Sequence, residues 1–409
     1  MRAGKPAPEV SLRSIGPTVY LPSLVYGIGQ GAFIPVIVLS ATALGASLGT
    51  AGLLVALVGI GAIIADVPSG ALTARIGERA AMAFATALAV VGLLLCITAT
   101  TVPVLAIGVT LVGGSSAVWS VARQVYVTEV IPYRLRARAL STLGGMNRIG
   151  LFVGPFIGAA VMSVLGIAGA FWVFLVAASA AAGLLYLFPD IPRTNTEARI
   201  APHGGTLGVI RAHGSILRTL GSGIFLVGVA RASRQALIPL WGAAIGLDAT
   251  TISLIFGLSG IVDTLLFYPA GKVMDLYGRR WVAIPSMLVL GLSFVLTPFA
   301  TDAAGLAALA MLVGFGNGIS NGIVMTLGAD VAPRDTRAQF LGAWRLCHDL
   351  GKGAGPLGLS LVISAASLSS ASVTMGISAF VAAGLLYRWV PRTHDAVPRT
   401  AALADPDRS

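Results

Sequence analysis

The chain has 409 residues, 56% of them hydrophobic and 11% charged, with a formal net charge of +11 and a mean hydropathy of +0.89. That balance excludes a water-soluble globular domain. Two cysteines inside apolar stretches and four histidines without ligand spacing exclude a disulfide framework and a metal site.

Arg2, Lys5 and Arg13 precede a first apolar span at 17–44, which is too long for a cleavable signal and lacks its small-residue processing site. Spans at 47–72, 80–100, 103–131, 139–164 and 167–189 follow. Arg79 to Arg123 and Arg148 to Asp190 each bracket roughly 40 residues without a formal charge, room for two crossings of about 20 residues apiece. A polar stretch rich in Pro, Gly, Thr and Arg then separates residue 189 from residue 219. The second series of spans reads 219–246, 248–272, 281–300, 304–331, 338–366 and 370–390. The expected organisation is an all-α membrane protein of about twelve transmembrane helices: an N-terminal six-helix bundle (1–189), a cytoplasmic linker (190–218), a C-terminal six-helix bundle (219–390) and a cytoplasmic tail (391–409).

Lys and Arg gather in alternate loops, at Arg75 and Arg79, at Arg134, Arg136 and Arg138, in the linker, at Lys272, Arg279 and Arg280, at Arg334 and Arg337, and in the tail. The loops between carry at most Asp248 or Asp302. The net charge therefore marks topology rather than a nucleic-acid partner, with both termini and the linker on the cytoplasmic side.

A shift of 201 residues superposes the punctuation of the chain on itself, pairing Pro68 with Pro269, Gly70 with Gly271, Gly77 with Gly278 and Arg79 with Arg280. It also pairs Glu129 with Asp330, Pro132 with Pro333, Arg136 with Arg337, Gly150 with Gly351, Gly154 with Gly355 and Pro155 with Pro356. Coincident glycines are cheap in a Gly-rich chain, but coincident prolines are not. The repeat implies two bundles related by a pseudo-twofold axis along the membrane normal.

Three signatures now carry a resemblance. The loop after the second span reads Gly70-Ala-Leu-Thr-Ala-Arg75-Ile-Gly77-Glu-Arg79, and the loop after the eighth reads Gly271-Lys-Val-Met-Asp275-Leu-Tyr-Gly278-Arg279-Arg280. The fourth and tenth spans end Glu129-x-x-Pro132-x-x-x-Arg136 and Asp330-x-x-Pro333-x-x-x-Arg337. The fifth carries Gly150-x-x-x-Gly154-Pro155-x-x-Gly158-Ala159. Together they resemble the major facilitator superfamily over nearly the whole chain, and within it the twelve-helix drug:proton antiporters of bacteria. Ala74 stands where the first loop of that family has Asp, and Glu78 where it has a base. The resemblance implies a cytoplasmic latch built from Arg75, Arg79, Glu129, Arg136, Asp275, Arg279, Arg280, Asp330 and Arg337. It implies hinge and close-packing positions at Gly150, Gly154, Pro155, Gly158, Gly355 and Pro356.

Ionisable residues at membrane depth are functional candidates by default. Counted from the loop landmarks, Arg148 and Asp263 both lie about 18 Å deep and Asp66 and Arg345 both about 12 Å deep, so each pair is expected to join the halves. Asp263 is the first choice for a proton-coupled carboxylate, ahead of Asp349 and Asp66; Asp349 has Arg345 and Lys352 on its own helix face. The family layout places spans 1, 4, 7 and 10 around a central cavity, with Tyr26, Gln30, Trp119, Arg123, Tyr126, Arg231, Arg234, Gln235, Asn317 and Asn321 as candidate lining. Arg231 and Arg234 favour an anionic solute if unpaired and say nothing of it if paired with Asp263 or Asp349.

The expected function is export of a small amphipathic molecule by proton antiport through alternating access, in a bacterial inner membrane, by a monomer. No cofactor is implied beyond the proton gradient, and no phosphate-binding loop supports ATP-driven transport. Uptake of a sugar or organic acid is the alternative. A remote one is an intramembrane serine protease using Ser259 and His348, on the short run Gly257-Leu-Ser259-Gly260.

Overall fold

The computed structural model describes residues 16–131, 133–187, 213–320, 322–333 and 337–390, apart from the side chains at 17, 67, 133, 134, 136, 137 and 337–339. Asn321, the side chains of Arg136 and Arg337, most of the linker and the tail thus lie outside the described residues. A π-helical turn, Gly16–Tyr20, leads into the first of thirteen described α-helices. The N-terminal half contains α1 (Leu21–Ala43), α2 (Leu48–Ile76), α3 (Glu78–Ile97), α4 (Val102–Val130), α5 (Tyr133–Leu165) and α6 (Ala168–Leu187). The C-terminal half contains α7 (Gly214–Ala244), α8 (Ala249–Tyr277), α9 (Arg280–Leu296), α10 (Ala303–Ile319), α11 (Ile323–Val331), α12 (Arg337–Ala365) and α13 (Leu368–Trp389).

Long apolar segments become helices because hydrocarbon offers their backbone no other hydrogen-bond partner. Eleven stretches are long and apolar enough to cross a bilayer, α10 and α11 counting together as one. The twelfth crossing is α12, whose 29 residues suffice in length but carry Arg345, His348, Asp349 and Lys352. Helix α7 starts at Gly214, inside the stretch expected to be linker.

The tenth span is two helices where the sequence reading expected one. Around Gly316-Asn317-Gly318-Ile319-Ser320 the chain holds residues that favour turns over helix, and Gly322 takes the left-handed conformation at φ +89°. The corresponding α4 is unbroken.

The duplication is visible in detail at the same 201-residue shift. Ser47 and Asp248 cap α2 and α8, each accepting from the N–H three residues on. Gly45 and Gly246 share positive φ, as do Gly77 and Gly278. Helix α1 meets α5 backbone to backbone where a Cβ on Gly150 would lie 2.3 Å from the Leu24 carbonyl oxygen. Helix α7 meets α12 likewise, a Cβ on Gly351 falling 2.0 Å from the Phe225 oxygen. In the same way Gly113 abuts Val58 and Gly314 abuts Ser259, each 2.2 Å from a carbonyl oxygen. Small residues at these crossings let the helices approach closely.

The halves join through α2 against α12 and α5 against α8. Contact is tight towards one membrane face, where Ser360 Oγ donates to the Gly49 carbonyl at 2.6 Å and Phe156 and Phe152 cover Gly257 and Gly260. Towards the other face, that of the 70–79 and 271–280 loops, the helices part: a Cβ on Gly70, Gly144, Gly145, Gly271 or Gly342 would touch nothing within 4 Å. Asp66 is exposed there. The molecule is therefore closed on one side and open on the other.

Candidate functional site

Between the halves, just inside the closed contact, lies a cavity of about 170 Å³. Helix α7 contributes Arg231, Arg234 and Gln235, α8 contributes Phe256, Gly260, Asp263 and Thr264, and α10 contributes Asn317. The N-terminal half supplies Ile34 from α1 and Arg148, Leu151 and Phe152 from α5. The expected lining from α4 is absent from this cavity, and α5 and α8 take its place.

A chain of hydrogen bonds organises the polar wall. Arg234 Nη2 donates to Asp263 Oδ2 at 3.1 Å. Asn317 Nδ2 donates to the same oxygen at 2.7 Å, and Arg231 Nε donates to Asn317 Oδ1 at 2.9 Å. The amide can face only one way here, because its oxygen must meet a guanidinium and its nitrogen a carboxylate. Arg234 and Asp263 are each only 15% exposed. The second hydrogen bond, from Asn317 to the carboxylate, helps make a pair that deep tolerable.

Asp263 was expected to pair with Arg148. The structure instead describes an ion pair with Arg234, on α7 of the same half as Asp263. The Arg148 guanidinium stands over the Phe267 ring at 4.8 Å, still lining the same cavity as Asp263. Depth counting finds residues at one level in the membrane, but it cannot tell which helix carries the nearer cation.

Asp66 and Arg345 lie on the open side and form no direct ion pair among the described residues. Arg345 Nε instead reaches Asp349 Oδ2 at 3.4 Å, and Lys352 Nζ meets Asp349 Oδ1 at 3.0 Å. His348 Nδ1 approaches Asp349 Oδ1 at 3.5 Å. Local i,i+3 and i,i+4 spacing favours these partners over a carboxylate across an open cleft.

The N-terminal aromatics are core rather than cavity. Tyr26 and Trp119 are each 1% exposed and stack at 4.7 Å with rings 6° apart. Tyr126 is buried too. Arg123 makes a long bond, 3.4 Å, from Nη1 to Asn147 Oδ1, beside a small void of about 10 Å³. Gln30 is half-buried on α1. Ser259 is fully buried and its hydroxyl has no partner among the described residues, while the bond described for His348 goes to Asp349. No serine–histidine contact of the protease kind is present among the described residues.

The loop elements form ties within one half. Arg279 Nε bonds Asp330 Oδ2 at 3.0 Å and its Nη1 reaches Asp275 Oδ1 at 3.4 Å. Arg280 donates from Nε to the Val390 carbonyl at 2.7 Å and from Nη2 to that of Tyr387, closing the end of α13. Arg75 is exposed, and Glu78 is buried at the start of α3.

The apolar lining escaped sequence reasoning, although spacing held a signal: Phe152 lies one turn after Arg148, and Phe256 and Gly260 two turns and one turn before Asp263. The polar wall also has no counterpart in the other half. At the 201-residue shift Arg231, Arg234, Asp263 and Asn317 correspond to Gln30, Phe33, Ala62 and Ser116.

Comparison with known proteins places this geometry. Over 120 residues the chain is 22% identical to an uncharacterized MFS-type transporter, MJ1560, of Methanocaldococcus jannaschii, a match spanning 29% of this chain and 31% of that one. In fold it is similar to a bacterial homologue of the human lysosomal transporter Spinster in an inward-facing, unoccupied conformation, with TM-score 0.72, 15% identity and 94% and 96% of the two chains covered. It is similar also to a D-xylose–proton symporter (TM-score 0.71, 18% identity, 94% and 99% covered). A POT family transporter in complex with 5-aminolevulinic acid shares the fold as well (TM-score 0.72, 12% identity, 93% and 96% covered). The sequence profile of the Major Facilitator Superfamily matches residues 19–222 and again 220–406. A duplicated bundle, a cavity at its seam and a profile that fits each half in turn have one reading: this chain belongs to the Major Facilitator Superfamily, a family of multi-pass membrane transporters.

Proposed function

We propose that the chain is a proton-coupled secondary transporter that carries a small amphipathic solute by rocking its two halves about the Asp263 cavity. The observation that carries this reading is a carboxylate held by Arg234 and Asn317 in a cavity shared by both halves and closed on one side only. A carboxylate at membrane depth whose ion pair can be made and broken is a site where proton and solute can exclude or assist one another. The positive loops support a cytoplasmic location for the open side and both termini, and the resemblance to bacterial antiporters supports a bacterial plasma membrane.

Two senses of coupling have separate support. The Gly150 to Ala159 run, with Gly150, Gly154 and Gly158 set against α1, favours export in exchange for protons, as its resemblance to the antiporter signature implies. The alternative, uptake of a sugar or organic acid with solute and proton moving together, has in its favour three guanidinium groups facing one carboxylate in the cavity, which suit an acid. The test is flux in proteoliposomes with an imposed pH gradient and a panel of fluorescent and metabolite solutes. The native chain should show gradient-driven flux, and Asp263→Asn should lose its dependence on the gradient. Gradient dependence that survives in Asp263→Asn would discard Asp263 as the coupling group; none in the native chain would discard proton coupling.

A further inference from the structure

The outer surface on the side of the 70–79 and 271–280 loops differs between the two halves. Around the C-terminal half, Tyr268 and Tyr277 of α8, Trp281 of α9, and Tyr387 and Trp389 of α13 are 40% to 73% exposed. Rings that large and that open, near the ends of helices that cross a bilayer, belong where hydrocarbon gives way to headgroups. On α8 the exposed residues Leu265, Tyr268, Lys272 and Leu276 recur at three- and four-residue steps, on the face opposite the Gly260 and Asp263 side that lines the central cavity. That row therefore points to lipid. Arg280, at the start of α9, bonds carbonyls at the end of α13, which draws the helix ends into one patch.

Two exposed cations stand in this patch and form no ion pair among the described residues. Lys272 Nζ lies 6.0 Å from the centre of the Tyr268 ring, and the Arg388 guanidinium carbon lies 4.8 Å from that of Trp389. A ring face covers one side of a cation and leaves its N–H groups open to an acceptor. Lys272 sits five residues inside the end of α8 at Tyr277, about 7.5 Å, a depth from which its stem can carry the ammonium out to the headgroups. The acids of this end, Asp275 and Asp330, are engaged with Arg279. At the 201-residue match the N-terminal half has Val67, Ile76, Ala80, Tyr186 and Phe188 for the five rings, and Ala71 and Leu187 for the two cations. Its own exposed cation, Arg75, corresponds to Leu276 and meets no ring among the described residues.

We propose that the C-terminal half is moored by anionic phospholipid in the leaflet on the side of these loops, with Lys272 and Arg388 meeting headgroup phosphates among the exposed rings, and that the N-terminal half has no such mooring. Two cations beside acids that already hold an arginine select a headgroup of net negative charge over a zwitterionic one. The mooring goes beyond the carrier reading and stands whichever way proton and solute are coupled.

Quenching of tryptophan fluorescence by brominated phospholipid, with the full chain in vesicles, tests this. Trp119, Trp241 and Trp344 are buried, so Trp172→Phe leaves Trp281 and Trp389 as lipid-facing reporters on the C-terminal half. A second chain carrying Trp172→Phe, Trp281→Phe, Trp389→Phe and Tyr186→Trp reports from the matched place on the N-terminal half. The vesicles mix phosphatidylglycerol with phosphatidylcholine, and the bromine is carried by one lipid or the other. Quenching in the first chain should favour phosphatidylglycerol by at least about fivefold, the effect of a single cation at the membrane surface. In the second chain the preference should be less than about half of that. Adding Lys272→Gln and Arg388→Gln to the first chain should lower its preference to the level of the second. The circular dichroism of the stacked Tyr26 and Trp119 rings, present in every variant, checks that each is folded. A smaller preference in the first chain, an equal one in the second, or one that survives the two glutamines overturns the proposal. Flux in proteoliposomes is a separate readout, so failure here leaves the carrier reading in place.

Discussion

Rocking of the halves makes a signed prediction at two glycines on one helix. Gly59 of α2 crosses α12 within the closed contact, where a Cβ would sit 3.6 Å from the Cα of Gly353. A leucine there adds three carbons beyond that Cβ, and with backbone facing it there is no side chain to swing away. Overpacking of this kind costs about 1–3 kcal/mol, charged only to the state in which α2 and α12 touch at this level. At 1.4 kcal/mol per decade, Gly59→Leu should shift the ratio of the two states by about 5-fold to 150-fold away from the one described here. Gly70, on the same helix at the parted end, meets nothing within 4 Å in this state, but closure of that end would bury it. Gly70→Leu should shift the ratio the opposite way. Spin-label distances between α2 and α12, taken at both ends of the helices in lipid nanodiscs, read the populations. Shifts of the same sign in the two variants, or none at Gly59→Leu, would refute the idea that the halves rock about this contact.

Other outcomes follow from local geometry. Gly150→Ala and Gly351→Ala, each placing a methyl within 2.3 Å of a backbone oxygen, should cost about 1–3 kcal/mol or more in thermal unfolding, whereas Gly144→Ala, with open space around it, should be neutral or slightly stabilising. Arg280→Gln and Arg279→Gln should each unfold more readily than the native chain, by about 1 kcal/mol in thermal unfolding, because the first frees carbonyls at the end of α13 and the second frees the Met274 carbonyl near the end of α8 along with the Asp330 carboxylate. The Thr251 hydroxyl, and then its N–H, hold the Asp248 carboxylate below its ordinary value. The stabilisation from that cap is full above the unfolded value of about 3.9 and is lost as pH falls through the depressed folded value. Protection of the amides at the start of α8, taken relative to their intrinsic exchange rates, should therefore fall in acid, and Asp248→Ser, which copies Ser47, should abolish that dependence.

Much of the fold was legible because hydrocarbon imposes simple rules. Charge-free runs long enough to cross gave the spans, and paired prolines gave the duplication. Even α12, more polar than the rest, reads as a span at 338–366, and its match to α5 through Gly351, Gly355 and Pro356 supports it. The break between α10 and α11 was missed because its turn-forming residues sit in a span whose average hydropathy remains high. The site was legible in its membership but not in its pairing. Arg231, Arg234, Asp263 and Asn317 were all singled out, yet the link from Asp263 to Arg234 depends on how α7 and α8 rotate against each other, which no spacing along either helix encodes. Tyr26 and Trp119 looked like cavity residues because they lie on spans 1 and 4. They stack in the core because those spans turn their aromatic faces inward within one half.

The absence of this polar wall from the matching positions of the N-terminal half has a consequence for stoichiometry. With Phe33 and Ala62 at the positions that match Arg234 and Asp263, the described residues carry this polar wall once. Saturation should accordingly be hyperbolic, with a Hill coefficient of one, and each turnover should convey a single molecule.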